Sequence, residues 1–120
     1  GWVSLGFEPS SVMKDSESII LSNLKGNGLI YHYFGTAREV VTPISTLDSA
    51  YKNDNLAVKS FSYDGKVSTY VFVRTEKVKN KYIKELTPGK KIKILFAYST
   101  SSDISSMHAK AGSETVTLPN

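Results

Sequence analysis

The stretch Leu56-Ala57-Val58-Lys59-Ser60-Phe61-Ser62-Tyr63-Asp64-Gly65-Lys66-Val67-Ser68-Thr69-Tyr70-Val71-Phe72-Val73-Arg74-Thr75 decides the fold class. Two runs rich in β-branched and aromatic residues flank Asp64-Gly65, the strongest short-range hairpin signal in the chain. In the second run Val67, Thr69, Val71 and Val73 alternate with Ser68, Tyr70, Phe72 and Arg74. A period of two puts successive side chains on opposite faces of a strand.

The same period recurs on both sides of this hairpin. Trp2, Ser4 and Gly6 alternate with Val3, Leu5 and Phe7 until Pro9 stops the run, and Ser18-Ile19-Ile20-Leu21 is a short apolar segment closed by Gly26-Asn27-Gly28. Leu29 to Phe34 is bulky on both faces, Val40-Val41 is brief, and Pro88-Gly89 is a turn. Ile92, Ile94, Phe96 and Tyr98 then share one face opposite Lys91 and Lys93, and Ser113 to Leu118 reads as a last strand. Helical turns are expected only near residues 44–50 and 77–86. Short strands separated by turn signals predict an all-β chain, an antiparallel sandwich or barrel, in one domain over residues 1–120.

Composition narrows the chemistry. The 120 residues contain no cysteine, two histidines (His32, His108) and two methionines (Met13, Met107). Disulfide scaffolds, thiolate metal sites, iron–sulfur clusters, cysteine nucleophiles and covalent c-type haem are thereby excluded, as is a three-histidine zinc site. No G-x-S-x-G elbow, phosphate loop, dinucleotide fingerprint, calcium loop or RNA-binding aromatic motif occurs, so neither an enzyme in its own right nor a nucleic-acid binder is expected. No apolar run is long enough to span a bilayer as a helix.

Charge is uneven. Residues 1–60 carry five basic and six acidic side chains, whereas residues 61–120 carry ten basic and five acidic ones, with seven lysines between Lys77 and Lys93. Alternating lysines on a strand mark a solvated face that discourages edge pairing, and they also provide a basic field able to steer an acidic partner.

Met13 lies in a polar loop after the first strand, and His108 ends the serine-rich stretch 99–106. Methionine and histidine together are an axial pair for haem iron. The plainer readings stand beside this one: a loop methionine plugs a gap, and a lone histidine is a surface or hydrogen-bonding residue. His32 shares a face with Ile30 and Phe34, which reads as a core or hydrogen-bonded histidine.

In order along the chain, Gly1-Trp2-Val3-Ser4-Leu5-Gly6-Phe7, Met13 to Ile20, Phe72-Val73-Arg74, Leu95-Phe96-Ala97-Tyr98 and Met107-His108 with Gly112 form a set of landmarks. As a set they resemble the DOMON domain, the family that includes the b-type cytochrome domain of cellobiose dehydrogenase. Phe96 stands where tryptophan is common, and Met107 where an aromatic often precedes the histidine. The resemblance implies an immunoglobulin-like antiparallel β-sandwich, with strands of the family fold preceding Gly1 and the chain a piece of something longer or completed by an oligomer. It implies non-covalent haem b with Met13 and His108 as axial metal ligands, and single-electron transfer to a redox partner protein or domain. Phe7, Ile19, Phe96 and Tyr98 are the expected apolar walls of such a haem site, and an extracytoplasmic location is implied. The alternative within the same resemblance is a carbohydrate-binding module, with aromatic platforms drawn from Trp2 and the seven tyrosines.

Overall fold

The computed structural model describes residues 1–51, 55–75, 80–101, 103–104 and 108–120. Alternating runs become strands β1 (Trp2–Phe7), β2 (Glu17–Leu24), β3 (Asn27–Ala37), β4 (Val40–Pro43), β5 (Leu56–Tyr63), β6 (Ser68–Arg74), β7 (Lys91–Ser99) and β8 (Lys110–Thr117). A single helical turn, α1 (Ile44–Leu47), follows Pro43. The strands form a six-stranded sheet in the order β4-β3-β2-β1-β7-β8 and a two-stranded sheet, β5-β6, with antiparallel pairing throughout. The chain is therefore all-β, two layers deep, as its period of two predicts.

Local chemistry sets the turns. Leu24 pairs with Asn27, so Lys25 and Gly26 form a two-residue hairpin turn with φ of 51° and 83°. Positive φ at both central positions matches the right-handed twist of the strands, and Gly26 takes it at no steric cost. The β5-β6 turn is wider than Asp64-Gly65 alone. Asp64 Oδ1 accepts the amides of Lys66 and Val67, both at 2.8 Å, and pairing begins only at Tyr63 and Ser68. These two amide bonds, offset only slightly by desolvation, hold the exposed Asp64 carboxyl below its usual value.

The helical turn expected over residues 77–86 is corrected in its described part. Residues 80–86 run as a turn and then a strap without regular secondary structure. Asn80 Oδ1 takes the Tyr82 amide in a side-chain-closed turn, and its Nδ2 donates to Asp48. The amide and carbonyl of Lys84 are both drawn into side-chain hydrogen bonds, which leaves them unavailable to a helix. Residues 77–79 lie outside the described residues.

The main core lies between the layers. Phe7, Ile19, Leu21, Leu56 and Ile92 are buried there, with Val3, Leu5, Ile30, Tyr70, Phe72, Ile94 and Val116 packed against them. Each fully buried aliphatic or aromatic side chain contributes about 1.5–3 kcal/mol of transfer free energy. A second cluster of Ile44, Tyr51 and Ile83 meets the edge-to-face pair Phe34–Tyr82, whose ring centres are 5.0 Å apart. The β5-β6 hairpin covers the inner face only in part. Ile92 is 1% exposed near one end of β7, while Phe96 and Tyr98 on the same face are 44% and 45% exposed. Phe96 instead lays its ring over Gly112, its direct partner on β8, where an added Cβ would meet the ring at 2.7 Å.

Candidate functional site

Two polar constellations stand out, one inside the core and one at its open end. The first begins at Glu17, the opening residue of β2, which pairs with Phe7 and Phe34 and so points inward. Its side chain is fully buried. Four donors from three separate segments converge on it: His32 Nε2 at 2.6 Å, Arg74 Nε at 2.7 Å, Arg74 Nη2 at 2.5 Å and the Lys84 amide at 2.6 Å. Arg74 Nη2 also donates to the Lys84 carbonyl. Burial acts to raise the Glu17 pKa, but hydrogen bonds from Arg74 and His32 and their charges outweigh it and leave the carboxyl below its usual value.

The network extends through His32, whose Nδ1 lies 2.5 Å from Tyr51 Oη, and Tyr51 donates in turn to Asn55 Oδ1 at 2.5 Å. Both nitrogens of His32 are therefore engaged, as its position between Ile30 and Phe34 suggests, and neither offers a lone pair to a metal. Glu17 is likewise saturated by four donors, so it is not free to act as a general base. What the network does is mechanical. It fastens β6 and the strap around Lys84 to the centre of the large sheet.

The second constellation lies at the other end of the hairpin. There a cleft of about 530 Å³ opens between the β5-β6 tip and the Trp2 end of β1 and β7. Tyr63, Tyr70 and Tyr98 line it together with Asn23, Ser68, Ser99, Thr100 and Lys66. Asn23 Nδ2 donates to Ser68 Oγ at 3.3 Å and ties the hairpin to β2 across the cleft. The Tyr70 hydroxyl is buried and closes no hydrogen bond among the described residues, and burial raises its pKa, partly offset by Ser68 beside it. The cleft is broadly open to solvent, and its volume falls within the about 300–1,000 Å³ range of small-molecule sites.

The six residues singled out as a haem site are dispersed. Phe7 and Ile19 are sealed in the main core, Phe96 and Tyr98 lie on the uncovered part of the same sheet face, and only Tyr98 borders the cleft. Met13 is half-buried in the loop between β1 and β2, where its amide donates to the Arg38 carbonyl and its own carbonyl presses on Gly35. His108 is exposed at the opposite end of the sheet, next to Ala109, whose amide donates to the Tyr98 carbonyl. The two side chains stand roughly six residue levels apart along the strands, about 20 Å, and three to four strand spacings of about 4.8 Å apart across them. The fold does not bring Met13 and His108 to one iron, and in this arrangement they do not fit a shared haem.

The lysine-rich segment is also spread out. Lys91 and Lys93 are exposed on the outer face of β7, Lys90 pairs with Glu8 at 2.8 Å, and Lys77 and Lys79 lie outside the described residues. Among the described residues no cluster of three or more His, Asp or Glu is placed to hold a metal ion, and no helix is long and apolar enough to cross a membrane.

No family model matches the chain, and neither a curated protein nor a solved structure matches it. The likeness to DOMON domains therefore rests on the landmark residues of the sequence alone.

Proposed function

We propose that this chain is a non-enzymatic ligand-binding module that takes a saccharide in the cleft between the β5-β6 tip and the ends of β1 and β7. The observation that carries this reading is the convergence of Tyr63, Tyr70 and Tyr98 with Asn23, Ser68 and Thr100 on one open volume. A pyranose has an apolar face of C–H groups and a rim of hydroxyls. It needs an aromatic surface to stack on and short polar side chains to accept and donate at its edge. Tyr98 offers the surface, since nearly half of it faces solvent although it stands on the core side of the sheet. Ser68 and Asn23 are already oriented by their mutual hydrogen bond, so little ordering entropy is lost when a hydroxyl joins them.

The test is isothermal titration calorimetry of the intact chain against a panel of oligosaccharides, repeated with Tyr98→Ala and Tyr63→Ala. Tyr98 is exposed, so its truncation is expected to leave the unfolding temperature in place while weakening binding about tenfold, equivalent to about 1.4 kcal/mol. Saccharide binding that is indifferent to both tyrosines, or no saccharide binding at all, overturns the proposal.

A further inference from the structure

The charged side chain that lines the cleft among the described residues is a lysine. It is Lys66, from the β5-β6 turn, and no Asp or Glu lines the cleft among the described residues. Lys110 is the direct cross-strand partner of Tyr98. Directly opposed residues share a face of the sheet with Cβ atoms about 4.5–5.5 Å apart, so the Lys110 chain rises beside the exposed Tyr98 ring. Both lysines are solvent-exposed, and neither makes an ion pair among the described residues. The carboxylate nearest to Lys66 in sequence, Asp64, spends Oδ1 on two amides of its own turn. One ammonium group thus lines the cleft from the β5-β6 turn, and a second stands on β8 beside Tyr98.

From this we infer that the ligand is an anionic saccharide, one whose sugar ring stacks on Tyr98 while its acidic substituent lies between Lys66 and Lys110. The inference rests on the saccharide reading of the cleft and names the ligand class for it. An ammonium group is a compact point charge with three donors that rotate freely, so it accepts either a carboxylate or a sulfate without a fixed fork geometry. The excess positive charge of residues 61–120, ten basic against five acidic side chains, adds long-range attraction for such a ligand and speeds encounter.

The experiment compares three oligomers of matched length on the intact chain: neutral galactan, oligogalacturonate and a sulfated galactan. At low salt at least one anionic oligomer is expected to bind about tenfold more tightly than the neutral one, roughly threefold for each exposed lysine. The two anionic arms decide between carboxylate and sulfate. In the Lys66→Gln, Lys110→Gln double variant the ratio of anionic to neutral affinity is expected to fall to about one, and raising the salt concentration is expected to lower that ratio in the same way in the unmodified chain. Equal binding of all three oligomers overturns the anionic preference and leaves the saccharide reading standing. An anionic preference that survives in the double variant overturns the role of these lysines. Binding of none of the three overturns both.

Discussion

Replacing Arg74 by Met strips the buried Glu17 carboxylate of its cationic partner and is the most informative single perturbation of this fold. Arg74 supplies two of the four donors on Glu17, and its side chain is 7% exposed against 0% for the carboxylate. Methionine fills similar space but leaves the carboxylate only His32 and the Lys84 amide as donors, and breaking a buried pair in this way costs about 3–5 kcal/mol. That is a large share of the roughly 5–15 kcal/mol by which a domain of this kind is stable. Glu17→Leu alone is expected to cost a comparable amount, because it strands the guanidinium and the Lys84 amide. The double variant, Glu17→Leu with Arg74→Met, removes both charges together. It is expected to cost less than the sum of the singles by at least about 2 kcal/mol. Urea denaturation followed by far-ultraviolet circular dichroism measures all four proteins, with a constant slope confirming that only stability has changed. A cost below about 1 kcal/mol for Arg74→Met, or strict additivity in the cycle, would refute the claim that this pair fastens the hairpin layer to the sheet.

The same carboxylate sets a pH dependence. Its folded pKa lies below the ordinary value of 4.5, so the unfolded chain binds more protons on acidification; the stabilisation is complete above pH 4.5 and is lost as pH falls through the folded pKa. Stability measured between pH 6 and pH 3 is expected to fall more steeply for the unmodified chain than for Arg74→Met. Gly35→Ala is expected to destabilise by about 1–3 kcal/mol or more, since its Cβ would stand 1.8 Å from the Met13 carbonyl oxygen; thermal unfolding reads the loss. Haemin added to the purified chain is expected to give the same absorbance spectrum with Met13→Leu or His108→Ala as without them. A low-spin spectrum abolished by either change would show that both residues reach one iron, contrary to their placement at opposite ends of the sheet.

The strands were legible in the sequence because the period of two is a local signal. Val3, Leu5 and Phe7 against Trp2, Ser4 and Gly6 sort onto two faces without knowledge of any neighbour. The Asp64-Gly65 hairpin was legible for the same reason, although its turn proved wider. The strap over residues 80–86 was not legible as such, because the Lys84 amide that a helix would use goes instead to Glu17, on a strand more than sixty positions earlier. The buried network left only faint traces: one acid, Glu17, leading an otherwise apolar and serine-rich strand, and one arginine, Arg74, closing an uncharged one. The cleft was the least legible. Asn23, Tyr63, Tyr70 and Tyr98 come from four different strands or their ends, and only the pairing order places them together. Met13 and His108 illustrate the converse. Their residue types suit one chemistry, but the register of β1 with β2 and β7 carries them to opposite ends.

Titration of isotopically labelled protein with an oligogalacturonate, followed by amide chemical shifts, tests the central claim most directly. Binding in the cleft predicts shifts that saturate and cluster at Asn23, residues 63–70 and residues 98–100, with Lys110 beside them. Shifts confined to the Met13–Gly35 end of the sheet, or no saturable shifts with this or any other saccharide, would contradict it.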